Sequence, residues 1–333
     1  MSTPSLDAIH TPVLLDAVLD GLNLQAGKCY IDGTLGMGGH SQALLKQLAL
    51  LGETHPQWVG VDQDAQALAI AQVRLADTLK TFTDATQCHF VQSNYSQLEE
   101  CLEAKGIGEI SGGLLLDLGV SSLQLDAPER GFSFRRNGVL DMRMNQNASQ
   151  SLTAQSILNT YSLEELCSIF ERYGEEKYAY PIAKAIVADR ETTPWRESLP
   201  LAQLCERVYR LKQKSGKQKE AKHSATRVFQ ALRMAVNGEL EHLETTLQQL
   251  PRLMAPSSRV AMITFHSLED RLVKQTFKTW MQGCSCPPHF PICTCEAAPL
   301  FKAVNRKAIE ASEAEKEANP RSRSAKLRVY ERL

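Results

Sequence analysis

The stretch Asp32-Gly-Thr-Leu-Gly36-Met-Gly38-Gly39-His40-Ser41 decides the architecture. An apolar run beginning at Cys29 leads into it with strand-like residues, and positions 40–51 leave it with apolar side chains at helical spacing. Glycines between a strand and a helix let the backbone approach a ligand closely, and the free amides of a helix N-terminus attract an anion. Working outward, short apolar runs at 58–62, 89–93 and 113–118 each end in a polar turn, and 65–79 repeats as a second helix. Strands alternating with helices predict βαβ units and a parallel sheet, hence an α/β fold.

The alternation stops after Leu118, and a fifth buried strand, 259–265, follows only some 140 residues later. Between them the chain reads as helical. Ser162-Leu-Glu-Glu165 is a capping box, and Gly174 is placed to stop that helix. Apolar residues from Val228 through Leu232, Val236, Leu240, Leu243 and Leu247 to Leu250 predict one long helix over 224–250, ended by Pro251. The expected division is therefore a sheet domain of 1–130 and 235–333, with a helical domain of 131–234 inserted in it. Residues 307–319, charged and poor in large apolar side chains, read as a loop, and 326–332 as a final strand.

At 333 residues, 43% hydrophobic and 23% charged, the chain has the composition of a soluble globular protein. It has no apolar run near the ~20 residues a bilayer requires and no signal-peptide pattern. Nine scattered cysteines read as thiols rather than a disulfide framework, so the expected compartment is the cytoplasm. The net charge of −1 by itself argues against a nucleic-acid partner, and its distribution is more informative than the sum. Eight Lys or Arg residues with only Glu220 against them lie in 207–227, and Arg321, Arg323, Lys326, Arg328 and Arg332 crowd the end. Solvated surface is the plainer reading of such runs unless an RNA site is argued separately.

Two ligands suit the glycine turn, a dinucleotide or S-adenosylmethionine. The dinucleotide fingerprint wants a third glycine where Ser41 stands. The second strand ends in Asp62, placed to accept ribose hydroxyls. Tyr95 follows the third strand, where a ring can cover adenine, and Asp117 ends the fourth, where a carboxylate can meet an ammonium or approach a transferred methyl. A surface tyrosine and a helix-capping aspartate are the plain alternatives. Their shared position at the carboxyl ends of successive strands favours a site.

With these segments in view, the chain resembles the RsmH (MraW) family of ribosomal small-subunit RNA cytosine-N4 methyltransferases over nearly its whole length. The likeness rests on His10-x-Pro-Val-Leu-Leu15, the Asp32–Ser41 turn, Asp117-Leu-Gly-Val-Ser-Ser122-x-Gln124-Leu-Asp126, Arg130-Gly-Phe-Ser-Phe134, Leu140-Asp-Met-Arg-Met144, Tyr173-Gly-Glu-Glu176, Ala225-Thr-Arg-x-Phe-Gln-Ala-Leu-Arg233, Phe265-His-Ser-Leu-Glu-Asp-Arg271 and Asn319-Pro-Arg-Ser-Arg323-Ser. It departs at Leu123, Val139 and Ser224, where proline is common, and at Pro256-Ser-Ser258, where a Gly-Gly turn is usual; none of these removes a polar functional group. The resemblance implies a Rossmann-like class I methyltransferase sheet with an inserted α-helical domain. It implies S-adenosyl-L-methionine as methyl donor, with cofactor contacts at Gly38, Gly39, His40, Asp62, Tyr95, Asp117 and Gln124. The implied substrate is the exocyclic N4 of a cytidine in the decoding region of 16S ribosomal RNA, within the small subunit. A homodimer is compatible with this, and a membrane is not implied.

No catalytic residue is assigned. His266, Glu269 and Asp270 follow the fifth strand, but Ser267 as a helix cap is the plainer reading there. Arg130-Gly-Phe132-Ser-Phe134-Arg135-Arg136 interleaves rings with cations, which suits either stacking on unpaired bases or a packed joint. Cys284, Cys286, Cys293 and Cys295 match the donors of a tetrahedral zinc or stand as free thiols; no metal is assigned.

Overall fold

The computed structural model describes residues 12–147, 152–212, 223–283 and 298–333. His10, Lys214, Lys217, Lys219 and the four clustered cysteines lie outside them. The chain forms two compact units, Met1–Gly119 with Leu240–Leu333, and Val120–Glu239.

The first unit begins with α1 (Leu15–Leu22), β1 (Cys29–Asp32), α2 (Gly39–Leu50), β2 (Gln57–Asp62), α3 (Ala65–Leu79), β3 (Cys88–Gln92), α4 (Leu98–Glu103) and β4 (Gly113–Asp117). The second unit holds α5 (Ser122–Asp126), α6 (Ala154–Thr160), α7 (Leu163–Gly174), α8 (Ala179–Arg190), α9 (Ser198–Lys212) and α10 (Thr226–Asn237). The chain then continues through α11 (Glu239–Leu253), β5 (Arg259–Thr264), α12 (Ser267–Gln282), β6 (Phe301–Ala303), β7 (Ile309–Glu310), α13 (Glu313–Ala318) and β8 (Lys326–Arg332).

The sheet order is β3-β2-β1-β4-β5-β8-β6, with β7 beside β8. Strands β1 to β5 pair in parallel and β8 is antiparallel to β5, β6 and β7. This is the Rossmann-like sheet that the sequence implies. Its strands are near-continuous apolar runs because helices cover both faces. On one face Ile31, Val59, Val61, Leu114, Leu116, Val260 and Met262 pack with Leu98, Leu243, Leu247, Val273 and Phe277. Alternate residues, Tyr30, Trp58, Leu115, Ala261 and Ile263, pack on the other face with Leu22, Leu44, Leu45, Leu68 and Leu75. Strand order reverses at β1 and β4, which opens a crevice at their carboxyl ends.

The second unit has no strand among its described residues. Phe170, Ile182, Leu201, Val228 and Leu232 lie in its own buried core. The Ser162–Glu165 capping box is present, and Glu175, left-handed at φ 47°, closes α7 just after Gly174.

Three expectations are corrected. The long helix over 224–250 is two, because Gly238 takes a left-handed conformation (φ 57°) and breaks the ladder between α10 and α11. Pro251 does not end α11: it gives up its own bond to the carbonyl four residues back, and the helix runs on to Leu253. Residues 307–319 are not simply a loop but contain β7 and α13, the latter started by Ser312, whose hydroxyl accepts from the Glu315 amide.

Candidate active site

The site is built where β1 runs into α2. Asp32, almost fully buried, accepts from the Ser41 hydroxyl (2.6 Å) and the Thr34 amide (3.2 Å), which ties the strand end to the first helical turn. Thr34 Oγ1 in turn accepts from the Asp117 amide at 2.6 Å, linking the carboxyl ends of β1 and β4. Gly38 has φ 79°, and a Cβ there would lie 3.2 Å from the Ala71 side chain. At Gly39 a Cβ would meet the Pro12 ring at 2.7 Å. Both glycines are thus required by packing as well as by any close ligand.

Asp62, at the end of β2, accepts from the Gly36 amide (2.7 Å) and the Asp64 amide (2.8 Å). With the Gln63 amide also acting on this carboxylate, three of its four acceptor sites are engaged in shaping the turn and one is left for a ligand hydroxyl. Burial pushes its carboxyl up to about 6, against the pull of those amides. Tyr95 starts a short 3-10 turn capped by Asn94 and is half-buried against the sheet core. Its carbonyl accepts from Thr246 Oγ1 of α11 at 3.2 Å.

Asp117 closes β4. Its Oδ1 is buried and has no hydrogen-bond partner, while Oδ2 lies 3.7 Å from His40 Nδ1. Burial, then the charges of Asp32 and Glu269, push this carboxyl up to about 8. His40 is buried and its Nε2 lies 2.9 Å from the Val13 carbonyl. That bond places the ring proton on Nε2 and aims the Nδ1 lone pair at Asp117. Burial also lowers this imidazole to about 4, so it is neutral near pH 7. Beyond β5, Glu269 Oε2 accepts from the Phe265 amide (2.9 Å). His266 Nε2 lies 2.8 Å from Glu269 Oε1, outside hydrogen-bond alignment. The cap of α12 is His266, not Ser267: its ring, not a hydroxyl, accepts from the Glu269 amide.

Six of the seven expected contacts, Gly38, Gly39, His40, Asp62, Tyr95 and Asp117, therefore lie at the strand ends or on the turns that follow them in the first unit. Gln124 lies in the second unit, in the first turn of α5, and its side-chain oxygen accepts from the Ser121 amide at 3.1 Å as part of a capping box. Sequence reasoning missed Asp32 and the contact of Val13 with His40. The first carried a visible signal, an acid ending a strand; the second depends on a segment far from any motif glycine.

The basic runs divide. Arg328 pairs with Asp270 (2.7 Å), and Arg332 donates to the Leu300 carbonyl (2.9 Å), so these terminal cations hold β8 in place. In α9, Arg207 pairs with Asp189 and Arg210 with Glu206, which leaves Lys212 as an exposed cation at the helix end. Phe132 is buried in the second unit's core, the packing alternative of the two weighed above. Phe134 stacks on His223 at 4.6 Å and meets Phe229 edge-on.

A model of the MraW methylase family matches residues 7–333. The chain belongs to that family. The ribosomal RNA small subunit methyltransferase H of Maridesulfovibrio salexigens is 46% identical over 98% of this chain and 96% of its own. The protein of the same name from Carboxydothermus hydrogenoformans is 44% identical over 97% and 98%. A solved structure, a putative rRNA-methylase from Clostridium thermocellum, matches at a TM-score of 0.43 and 10% identity over 98% of this chain and all of its own, too distant to bear on the site. As a member of the MraW methylase family the protein is an S-adenosylmethionine-dependent methylase. The residues present fit a donor with an ammonium and a ribose: Asp117 has an unpartnered carboxylate oxygen that would suit the first, and Asp62 has acceptor capacity that would suit the second.

Proposed function

We propose that this protein methylates ribosomal RNA of the small subunit, at the exocyclic N4 of a cytidine in the decoding region of 16S RNA. The observation that carries the reading is the unpartnered Asp117 oxygen at the carboxyl end of β4, beside the β1–α2 turn, in a chain of the MraW methylase family. The names of its relatives supply the RNA class. Bound S-adenosylmethionine supplies an electrophilic methyl on a sulfonium. Asp62 takes the ribose hydroxyls, Tyr95 covers the adenine, and the turn through Gly38, Gly39 and His40 receives the amino-acid end, whose ammonium Asp117 holds. Gln124 is assigned to the same cofactor.

The N4 amine is a weak nucleophile because its lone pair is delocalised into the ring, so in-line positioning contributes more than a strong base. The helical segment 131–234 is assigned to RNA, since a base inside folded RNA has to be exposed before it can react. Mass mapping of modified cytidines in small-subunit RNA, from cells with and without this protein, tests the reading. One methylated cytidine should disappear and return with the wild-type gene; identical maps would remove the proposal.

A further inference from the structure

We infer that Asp117 carries a proton in the ligand-free protein and gives it up when the ammonium of the methyl donor takes its place against that carboxylate. This rests on the reading that S-adenosylmethionine binds at the β1–α2 turn.

The groups that face Asp117 come from both flanks. From β1 and α2 come Asp32 and His40, and from the first turn of α12 comes Glu269, with the cap residue His266 beside it. Asp62, at the end of β2, acts on this cluster through Asp32. Among the described residues no Lys or Arg lies within ion-pair distance of Asp117. Asp32 already accepts from Ser41 and Thr34, and Glu269 from the Phe265 amide, so both are stabilised as anions. Asp117 has no such donor for Oδ1. His40 supplies no countercharge, because its one proton points at the Val13 carbonyl. The Asp117 side chain is only partly buried, but its Oδ1 is closed off from water. A carboxylate oxygen buried without donor or countercharge lowers its free energy most readily by binding a proton. Burial and its acidic neighbours accordingly hold Asp117 at about 8.

An arriving ammonium reverses that balance. The carboxylic acid loses its proton to solvent, the carboxylate accepts from the ammonium, and no other bond changes. Ligands are then distinguished by the charge on their amino-acid end. S-adenosylmethionine and S-adenosylhomocysteine both bring an ammonium, whereas methylthioadenosine brings the adenosine without it.

Titration calorimetry of the full chain at pH 7, in buffers of widely different ionisation enthalpy, counts the protons. The first two ligands should each release about 0.9 proton, the share carried at pH 7 by a group titrating at about 8. Methylthioadenosine should release about none. Between pH 6.5 and 7 the affinity for S-adenosylmethionine should rise roughly threefold and that for methylthioadenosine far less, a comparison that cancels any share from Asp62. Asp117→Asn should abolish the release. Binding of S-adenosylmethionine without proton release overturns the inference and leaves the cofactor reading standing, as does equal release by methylthioadenosine or undiminished release in a folded Asp117→Asn. Absence of binding by all three ligands overturns the cofactor reading itself.

Discussion

Glu176 of the second unit and Asp117 of the first each hold a carboxylate oxygen closed off from water, Glu176 as a buried residue and Asp117 as a half-buried one, and the surroundings of those oxygens are opposite. Both Glu176 oxygens lie 2.8 Å from the Tyr209 hydroxyl and share its one proton, and Oε1 also accepts from the Tyr178 amide at 2.9 Å. Asp117 has a buried oxygen that nothing reaches and two acidic neighbours. A buried polar group that the fold satisfies is part of the structure; one that the fold leaves open has a cost in the free protein that a ligand can remove. Glu176 is satisfied in this respect, and Asp117, at the crevice of the strand ends, is not.

The contrast predicts opposite responses to removal of the charge. Glu176→Ala strands the Tyr209 hydroxyl and the Tyr178 amide, and should lower stability by about 3 kcal/mol in denaturant unfolding. Asp117→Asn should leave stability equal or higher; a loss comparable to that of Glu176→Ala would erase the distinction. Next in size, Asp62→Ala should weaken S-adenosylmethionine binding by roughly 1.5–3 kcal/mol, the usual range for hydrogen bonds to a charged group. Calorimetry showing unchanged affinity in the folded variant would reject the ribose assignment.

A smaller effect appears in the pH dependence of the ligand-free protein. Asp117 titrates at about 8 when folded and near the ordinary carboxylate value when unfolded, so between these values the native state binds the extra proton. Its contribution is therefore lost as pH rises through the folded value. Between pH 6.5 and 8, above the range of Asp32 and Asp62, stability should fall by at most about 1.4 kcal/mol per pH unit, and Asp117→Asn should flatten that slope. Smallest is Ser162→Ala, which removes the α7 cap and should cost about 1 kcal/mol without touching cofactor affinity. A change in affinity there would show that α7 bears on the cofactor.

Much of the fold was legible because each parallel strand is a short apolar run, and β1, β2 and β4 each end in an acid. The bounds of α3 and β8 fall where periodicity puts them. The break at Gly238 was not legible, since the apolar spacing keeps its phase across it and a lone glycine reads as tolerated. Residues 313–318 lack an apolar stripe, so their helix shows no periodic signal. Their sequence does hold Ser312-Glu-Ala-Glu315, but Glu315 Oε1 accepts from the Leu14 amide at 2.7 Å, a partner no local pattern reveals. The strand-end acids of the site could be read directly. That Asp117 is left without a donor could not, because it depends on which groups from β1 and β5 fail to reach it.

The pairing of β4 with β5 fixes a timetable for the growing chain. The first four strands leave the ribosome with the inner edge of β4 exposed, and its neighbour, β5, is about 140 residues away. At synthesis rates of ~5–20 residues per second that is a wait of roughly 7–30 seconds. The helical unit is continuous in sequence, so its local contacts form during that interval. An apolar parallel strand left uncovered for so long is a site for mispairing. The half-built sheet is thus the stage of synthesis with the longest opening for mispairing.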